Sequence, residues 1–155
     1  MGQPAAKAVK DSHAEMTELV FPNDANPLGN IFGGRVMQLI DIVASVAAMR
    51  HARNTVVTVS MDQMDFKTPV HVGEILNLAG SVNYVGRTSM EVGVKVTAEN
   101  PLTGERRHTS TAYLTYVSID NKGEPVVLPQ IIPETDDEKR RYAEAQVRRK
   151  HRLGK

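Results

Sequence analysis

One segment, from Arg35 to about Ala52, is apolar around well over half of the circumference that it has as a helix. The polar strip of this helix consists of Arg35, Gln38, Asp41 and Ser45. A helix with so wide an apolar surface is normally enclosed by other elements, because on a protein surface much of it would face water. The rest of the chain is therefore expected to fold around this one helix.

After the helix the sequence period changes from 3.6 to 2, which indicates strands. Four long runs follow, at 56–66, 75–84, 90–98 and 107–119, and a short strand is expected before the helix at 12–20. In the run 75–84, Tyr84 falls on the same face as Leu76 and Leu78. The connections 85–88 and 100–104 are short enough for antiparallel hairpins. The pattern predicts an α+β fold in which a curved antiparallel sheet wraps one helix.

Composition limits what such a chain does. The 155 residues fit one domain, and the absence of cysteine excludes thiol redox chemistry and fits a cytoplasmic protein. The sequence has no apolar run long enough to cross a membrane and no signal peptide, so no membrane partner is expected. We expect one folded domain over 1–133 and a basic helical tail over 134–155, with Thr135 or Asp136 as the helix cap.

The net charge of +1 is unevenly placed, because the excess of lysine and arginine lies in the tail. A basic tail fits a solvated helix, and it also fits a surface that binds a polyanion. No basic stripe lies elsewhere, and the chain has no Trp and three Phe for stacking on bases. Nucleic acid is therefore not an expected partner.

A polar, glycine-rich loop, FPNDANPLGNIFGG, runs directly into the apolar helix. Gly33 and Gly34 can bring a carbonyl or phosphate oxygen against free backbone N–H groups at the helix start. Asp41 follows two turns later on nearly the same face, about 10 Å along the axis. Groups this far apart hold one reacting atom only if a second copy of the chain contributes one of them. An electrophile-holding backbone with a lone acid suggests hydrolysis.

Other hydrolytic and metal-dependent sites find no support in the sequence. The five histidines have no ligand spacing, so no metal is expected. No serine stands in a GxSxG elbow, which disfavours a Ser-His-Asp hydrolase. Taken alone, the loop and the acid also fit a tight turn and an ordinary helix-surface carboxylate.

Four stretches together resemble the hotdog-fold acyl-CoA thioesterases, and the resemblance covers roughly 16–118. They are PNDANPLGNIFGG, the Asp41 that follows it, MDQMDFKTPVHVGE and GRTSMEVGVKVTAENPLTGERRHT. The resemblance implies a helix wrapped by a curved antiparallel sheet. It also implies hydrolysis of fatty acyl-CoA to fatty acid and coenzyme A, with no cofactor besides the coenzyme A of the substrate.

By position, the resemblance makes Asp41 the catalytic carboxylate and Asn26 its partner, the two coming from opposite subunits of a dimer. Asp41 then activates a water or attacks the carbonyl directly, and the sequence leaves both routes open. The N–H groups of Gly33 or Gly34 polarise the thioester oxygen. Two positions depart from the family pattern: Phe32 replaces a common histidine, and Asn23 replaces a commoner acidic or serine residue.

Coenzyme A carries phosphates, so cations and backbone N–H groups are expected along its path. The candidates are Arg87, Thr88 and Ser89 in a hairpin, and Arg148, Arg149 and Lys150 in the tail. Members of the family are commonly homohexamers, as trimers of dimers, and the same assembly is expected here. The alternative function is a hotdog module that binds acyl-CoA as a signal without hydrolysing it, because one pocket serves both tasks.

Overall fold

The computed structural model describes residues 4–64 and 66–154, and it confirms the predicted strand, helix and four long strands. In chain order the elements are β1 (Lys7–Ala8), β2 (Ala14–Leu19), α1 (Gly33–Ala52), β3 (Thr55–Met64), β4 (Ile75–Val85), β5 (Ser89–Glu99), β6 (Arg106–Ile119), β7 (Ile131–Ile132) and α2 (Asp136–Leu153). The predicted strand end at Phe66 was too late, because β3 ends at Met64.

Five strands form one antiparallel sheet in the order β2-β4-β5-β6-β3, so that β2 and β3 are its edges. The sheet curls around α1, and the core lies between the two. Gly80 on β4 permits a close approach of the sheet to α1, since a Cβ there would lie 3.1 Å from Val43 Cγ1. This is the predicted α+β arrangement.

One side of α1 stays uncovered in the single chain. Met37, Ile42 and Met49 are 43–45% exposed, and they share the side of the helix that carries Asp41. The prediction that other elements enclose the whole helix is therefore met only in part. Edge strand β3 also carries two exposed valines, Val57 and Val59. Exposed apolar residues beside an unpaired strand edge are typical of a surface that receives a partner.

Register shifts in β4 and β3 interrupt the simple alternation of side chains between the two faces of the sheet. The register shifts between Val82 and Tyr84 of β4, and Val85 is the next buried apolar residue. The prediction that Tyr84 shares the core face was therefore wrong. Its ring packs edge-on against Tyr142 of α2, with 5.0 Å between ring centroids. A second shift follows Thr58 on β3.

Helix α2 lies on the face of the sheet opposite α1. It begins in a capping box, in which Glu138 N–H donates to Thr135 Oγ1 and the Glu138 carboxylate accepts from the Thr135 N–H. An ion pair of 2.6 Å joins Arg152 to Asp62 of β3. The predicted charged helix is confirmed, and of its two predicted cap candidates Thr135 is the N-cap.

Two short segments, 7–8 and 129–132, contact each other or the C-terminal end of α1. β1 and β7 form a parallel pair that periodicity did not predict. The buried His51 of α1 contacts the Pro129 carbonyl oxygen through Nε2 at 2.7 Å.

No helix among residues 4–64 and 66–154 is both long and apolar enough to cross a membrane.

Candidate active site

Asp41 is held in one orientation by hydroxyl groups from two strands. The Tyr116 hydroxyl of β6 donates to Asp41 Oδ1 at 2.6 Å, and the Thr58 hydroxyl of β3 donates to the same oxygen at 3.0 Å. Thr58 and Tyr116 are direct partners in the antiparallel register, which explains why both reach one atom. Within the described residues, Asp41 Oδ2 accepts no hydrogen bond, and the side chain is only half-buried. One carboxylate oxygen is therefore fixed, and the other is available to a ligand.

Tyr116 is fully buried, and its environment keeps the phenol protonated. Burial, followed by the hydrogen bond to Asp41, raises the pKa of Tyr116 well above its usual value. Ser45, one turn beyond Asp41 on α1, lies 3.2 Å from the Tyr116 hydroxyl. Because Tyr116 gives its one proton to the carboxylate, the Ser45 hydroxyl is the donor in that second contact.

The first turn of α1 presents backbone donors beside a cavity. Phe32 is the N-cap without a side-chain cap, and the helix starts at Gly33 and Gly34. The first N–H groups of a helix have no partner within the helix, so those of Gly33 and Gly34 are open to an anion or a polarised carbonyl. A cavity of about 280 Å³ adjoins Gly33. Its lining is largely apolar, with Ile31, Phe66, Pro69 and Val70 among its residues.

Asn26 organises the loop that precedes α1. Its Oδ1 accepts the N–H groups of Leu28 at 3.0 Å and Asn30 at 3.1 Å. Across the described residues, the Asn26 amide nitrogen donates no hydrogen bond, and no hydrogen bond joins Asn26 to Asp41. Asp24 braces the same loop, because it accepts from Phe21 N–H and pairs with Arg35. The single chain therefore holds Asn26 and Asp41 rigidly without bringing them into contact.

Two of the predicted cations, Arg87 and Arg149, lie at the β4–β5 hairpin. Arg87 is exposed at the turn, and Thr88 and Ser89 are half-buried beside it. Arg149 of α2 reaches the same hairpin, since a Cβ on Gly86 would lie 3.3 Å from its Nη2 atom. Lys150 is exposed on α2.

Arg148 has a different environment from its neighbours in the tail. Its guanidinium donates two hydrogen bonds to Glu91 of β5, at 2.7 and 2.9 Å, and lies 3.5 Å from the Tyr113 ring centroid. The Glu91 side chain is 4% exposed and also accepts from Asn83. Burial opposes the charge on Arg148, but the hydrogen bonds and charge of Glu91 outweigh it, so that the pKa of Arg148 is raised. These contacts favour a structural role for Arg148.

Replacing Arg148 with methionine is expected to lower the free energy of unfolding by about 3 kcal/mol, because Glu91 would remain buried without its cation. Urea unfolding at one fixed protein concentration measures this loss. Arg149→Met is the matched control. Its guanidinium lies 6.0 Å from the Tyr84 ring centroid and forms no ion pair among the described residues, so a loss below about 1 kcal/mol is expected. Equal losses in the two variants would contradict the structural assignment.

Three residues around Asp41 were not singled out for this role by the sequence: Ser45, Thr58 and Tyr116. Thr58 and Tyr116 donate to Asp41, and Ser45 contacts Tyr116. Tyr116 follows Ala112 and Leu114 on the buried side of β6, so that its phase marked it as a core residue. Which core residue contacts Asp41 depends on the register of β3 against β6 and on the position of α1 on the sheet.

No group of three acidic, histidine or cysteine side chains that could hold a metal occurs in the parts of the chain that the structure describes.

Comparison with known proteins assigns this architecture to a family. The model of the thioesterase superfamily matches residues 28–105. A protein of Bacillus subtilis (strain 168) named uncharacterized acyl-CoA thioester hydrolase YkhA is 43% identical over 138 residues, which are 89% of this chain and 80% of that protein. The chain therefore belongs to the thioesterase superfamily. It is a thioester hydrolase with the hotdog fold.

Two solved structures are similar over nearly the whole chain. An apo-hexameric acyl-CoA thioesterase has a TM-score of 0.93 and 46% identity, with 96% of each chain covered. The acyl-CoA hydrolase of Staphylococcus aureus, solved in complex with butyryl coenzyme A, coenzyme A and coenzyme A disulfide, has a TM-score of 0.91 and 36% identity, with 96% of this chain and 91% of that chain covered.

Proposed function

We propose that the protein hydrolyses fatty acyl-CoA thioesters to fatty acid and coenzyme A, at a site that two copies of the chain complete. Asp41 of one copy and Asn26 of the other are its catalytic groups. The observation that carries the proposal is the Asp41 carboxylate, fixed through Oδ1 by two hydroxyl donors and open at Oδ2.

The uncovered side of α1 supports a site between two copies. Asp41 lies among Met37, Ile42 and Met49, whose exposed apolar surface adjoins the edge strand β3. A second copy placed there covers these residues and carries its own Asn26 loop to the interface. Among the described residues the amide nitrogen of Asn26 has no acceptor, so it can donate to the water or the thioester oxygen while Oδ1 organises the loop.

Variants of the similar Staphylococcus aureus hydrolase add support. Its structure has been solved with an asparagine, an aspartate or a threonine replaced by alanine, the asparagine variant in complex with coenzyme A. Those three positions have the same spacing along the chain as Asn26, Asp41 and Thr58 here. The similarity favours Asn26 and Asp41 as the catalytic pair, with Thr58 as a donor to Asp41.

The proposed reaction uses Asp41 as a general base. Oδ2 accepts a proton from a water whose oxygen attacks the thioester carbonyl carbon, and negative charge develops on the carbonyl oxygen. The Gly33 or Gly34 N–H stabilises that charge, a contribution of about 3 kcal/mol to the barrier in comparable sites. The C–S bond then breaks, and the departing sulfur takes the proton from Asp41. The open Oδ2 also permits direct attack on the carbonyl carbon, and a single turnover in ¹⁸O water distinguishes the two routes.

The coenzyme A moiety is proposed to lie along the β4–β5 hairpin. Arg87 and Arg149 flank it, Thr88 and Ser89 add polar groups, and Lys150 is a further cation on α2. Arg148 is the weakest of the six candidates, since Glu91 already occupies its guanidinium. The apolar cavity beside Gly33 suits the acyl chain.

The assembly is proposed to be a hexamer formed as a trimer of dimers, and the similar hexameric acyl-CoA thioesterase supports this. A cytoplasmic location is proposed as well. It is supported by the cytosolic acyl coenzyme A thioester hydrolase of Rattus norvegicus, 34% identical over 147 residues, although this chain spans 39% of that protein.

Thiol release from a series of acyl-CoAs of increasing chain length tests the proposed function. The absence of cysteine keeps the thiol measurement free of background from the protein. Turnover that increases from acetyl to fatty acyl chains is expected, because each buried methylene contributes about 0.8 kcal/mol. Tight acyl-CoA binding without any turnover would instead establish the sensor function.

A further inference from the structure

We propose that Tyr116 is a positioning residue for the hydrolysis, acting through Asp41, with Ser45 orienting Tyr116 in turn. This inference rests on the proposed role of Asp41 and extends it to residues that do not touch the substrate. The structure shows a chain of three groups: the Ser45 hydroxyl, the Tyr116 hydroxyl and Asp41 Oδ1, with spacings of 3.2 and 2.6 Å.

The burial of Tyr116 indicates that its hydroxyl is placed to hydrogen-bond to the Asp41 carboxylate. The residue is fully buried on β6, in a row with Ala112 and Leu114 that packs against α1. Burying a phenol in such a row costs free energy unless its hydroxyl is paired, and a phenylalanine would fill the same volume without that cost. Among the described residues, the polar groups that the hydroxyl reaches are Asp41, Ser45 and the Thr58 hydroxyl, which itself donates to Asp41. The hydroxyl is therefore placed for Asp41.

The geometry also assigns different tasks to the two donors of Asp41. Thr58 is exposed on an edge strand in the single chain, whereas Tyr116 is enclosed by the core. A donor held by the core cannot turn away, so Tyr116 fixes the rotation of the carboxylate and directs Oδ2 towards the uncovered side of α1. Tyr116 from β6 is the titratable group that hydrogen-bonds to Asp41, and Thr58 and Ser45 add neutral hydroxyls from β3 and α1.

The substitution Tyr116→Phe tests the proposal, because it removes the hydroxyl and keeps the ring. The kcat of acyl-CoA hydrolysis is expected to fall about tenfold, the effect of one hydrogen bond to a charged group, with little change in KM. A non-hydrolysable thioether analogue is expected to keep its native Kd, because Tyr116 does not touch the substrate. A merely structural tyrosine would alter the melting temperature, and kcat measured well below that temperature would stay native.

Two further variants make the outcome decisive. Tyr142→Phe removes a hydroxyl from α2, on the opposite face of the sheet, and should leave kcat unchanged. Ser45→Ala leaves Tyr116 in place and should lower kcat by a smaller factor at an unchanged KM. It replaces Tyr116→Phe as the test if that variant does not fold. A native kcat in Tyr116→Phe, or in Ser45→Ala where it serves as the replacement, would overturn the proposal.

Asp41→Asn measured in parallel separates this inference from the proposed function. If Asp41→Asn is inactive while Tyr116→Phe has the native kcat, the role of Tyr116 is wrong and that of Asp41 stands. If Asp41→Asn hydrolyses acyl-CoA at the native rate, the proposed function of the site fails, and the inference about Tyr116 fails with it.

Discussion

Replacing Asp41 with asparagine is expected to lower kcat/KM for acyl-CoA hydrolysis by roughly a thousandfold, the range of a general base. The amide keeps an oxygen that accepts from Tyr116 and Thr58, so the side chain stays in place, but its other atom cannot take a proton from water. Acyl-CoA binding should persist, because the proposed phosphate and acyl contacts lie elsewhere. Thiol release, together with calorimetric binding of a non-hydrolysable thioether analogue, measures the two effects separately.

The control for this substitution is Asp11→Asn, which neutralises an exposed aspartate distant in sequence from the site. It should retain the native rate. A loss below about tenfold in Asp41→Asn would place the chemistry on another group. A single turnover in ¹⁸O water distinguishes the two roles of the carboxylate, because a fatty acid that lacks the label would indicate direct attack by Asp41.

Mixing two inactive variants is expected to restore activity if each site takes Asp41 from one copy and Asn26 from the other. In a hybrid dimer of Asp41→Asn with Asn26→Ala, one site has both native groups and the other has neither. Random mixing makes about half of the dimers hybrids, so about a quarter of the native rate should return. Co-expression with two different affinity tags, followed by tandem purification and thiol-release assay, measures the rate of assemblies that contain both variants.

The comparison with each variant assembled alone is the necessary control for the mixing experiment. Both should hydrolyse acyl-CoA at well under a hundredth of the native rate, since each of their sites lacks one group. If Asp41 and Asn26 of the same copy formed the site, every site of the hybrid would lack one group. An inactive hybrid of native oligomeric size would therefore contradict a shared site.

The sequence predicted the fold well because each predicted element had a clear period. The wide apolar surface of α1 and the alternation in β4, β5 and β6 left few arrangements other than a sheet around one helix. Tyr84 was misplaced because a register shift changes the face of every later residue in its strand, and local alternation contains no sign of it. The β1–β7 pair was missed because two residues have no detectable period.

The site was predicted less completely than the fold. Asp41 and the glycine pair stood out because a carboxylate in an apolar helix and a Gly-Gly helix start are unusual in sequence. Tyr116 did not, because it has the phase and the size of an ordinary core residue. Its proximity to Asp41 follows from the position at which α1 packs on the sheet. Arg148 could be counted only as a cation of the tail, because its partner Glu91 is distant in sequence.

The two edges of the sheet differ in a way that limits how copies of the chain can add to one another. Edge strand β3 presents Val57 and Val59, whereas β2 is a six-residue strand that carries Glu15 and Glu18. Charged, short edges resist further strand pairing. Two copies that paired through β3 would leave a β2 edge at each end, where the glutamates would oppose further growth of the sheet. This difference between the edges would disfavour fibre formation.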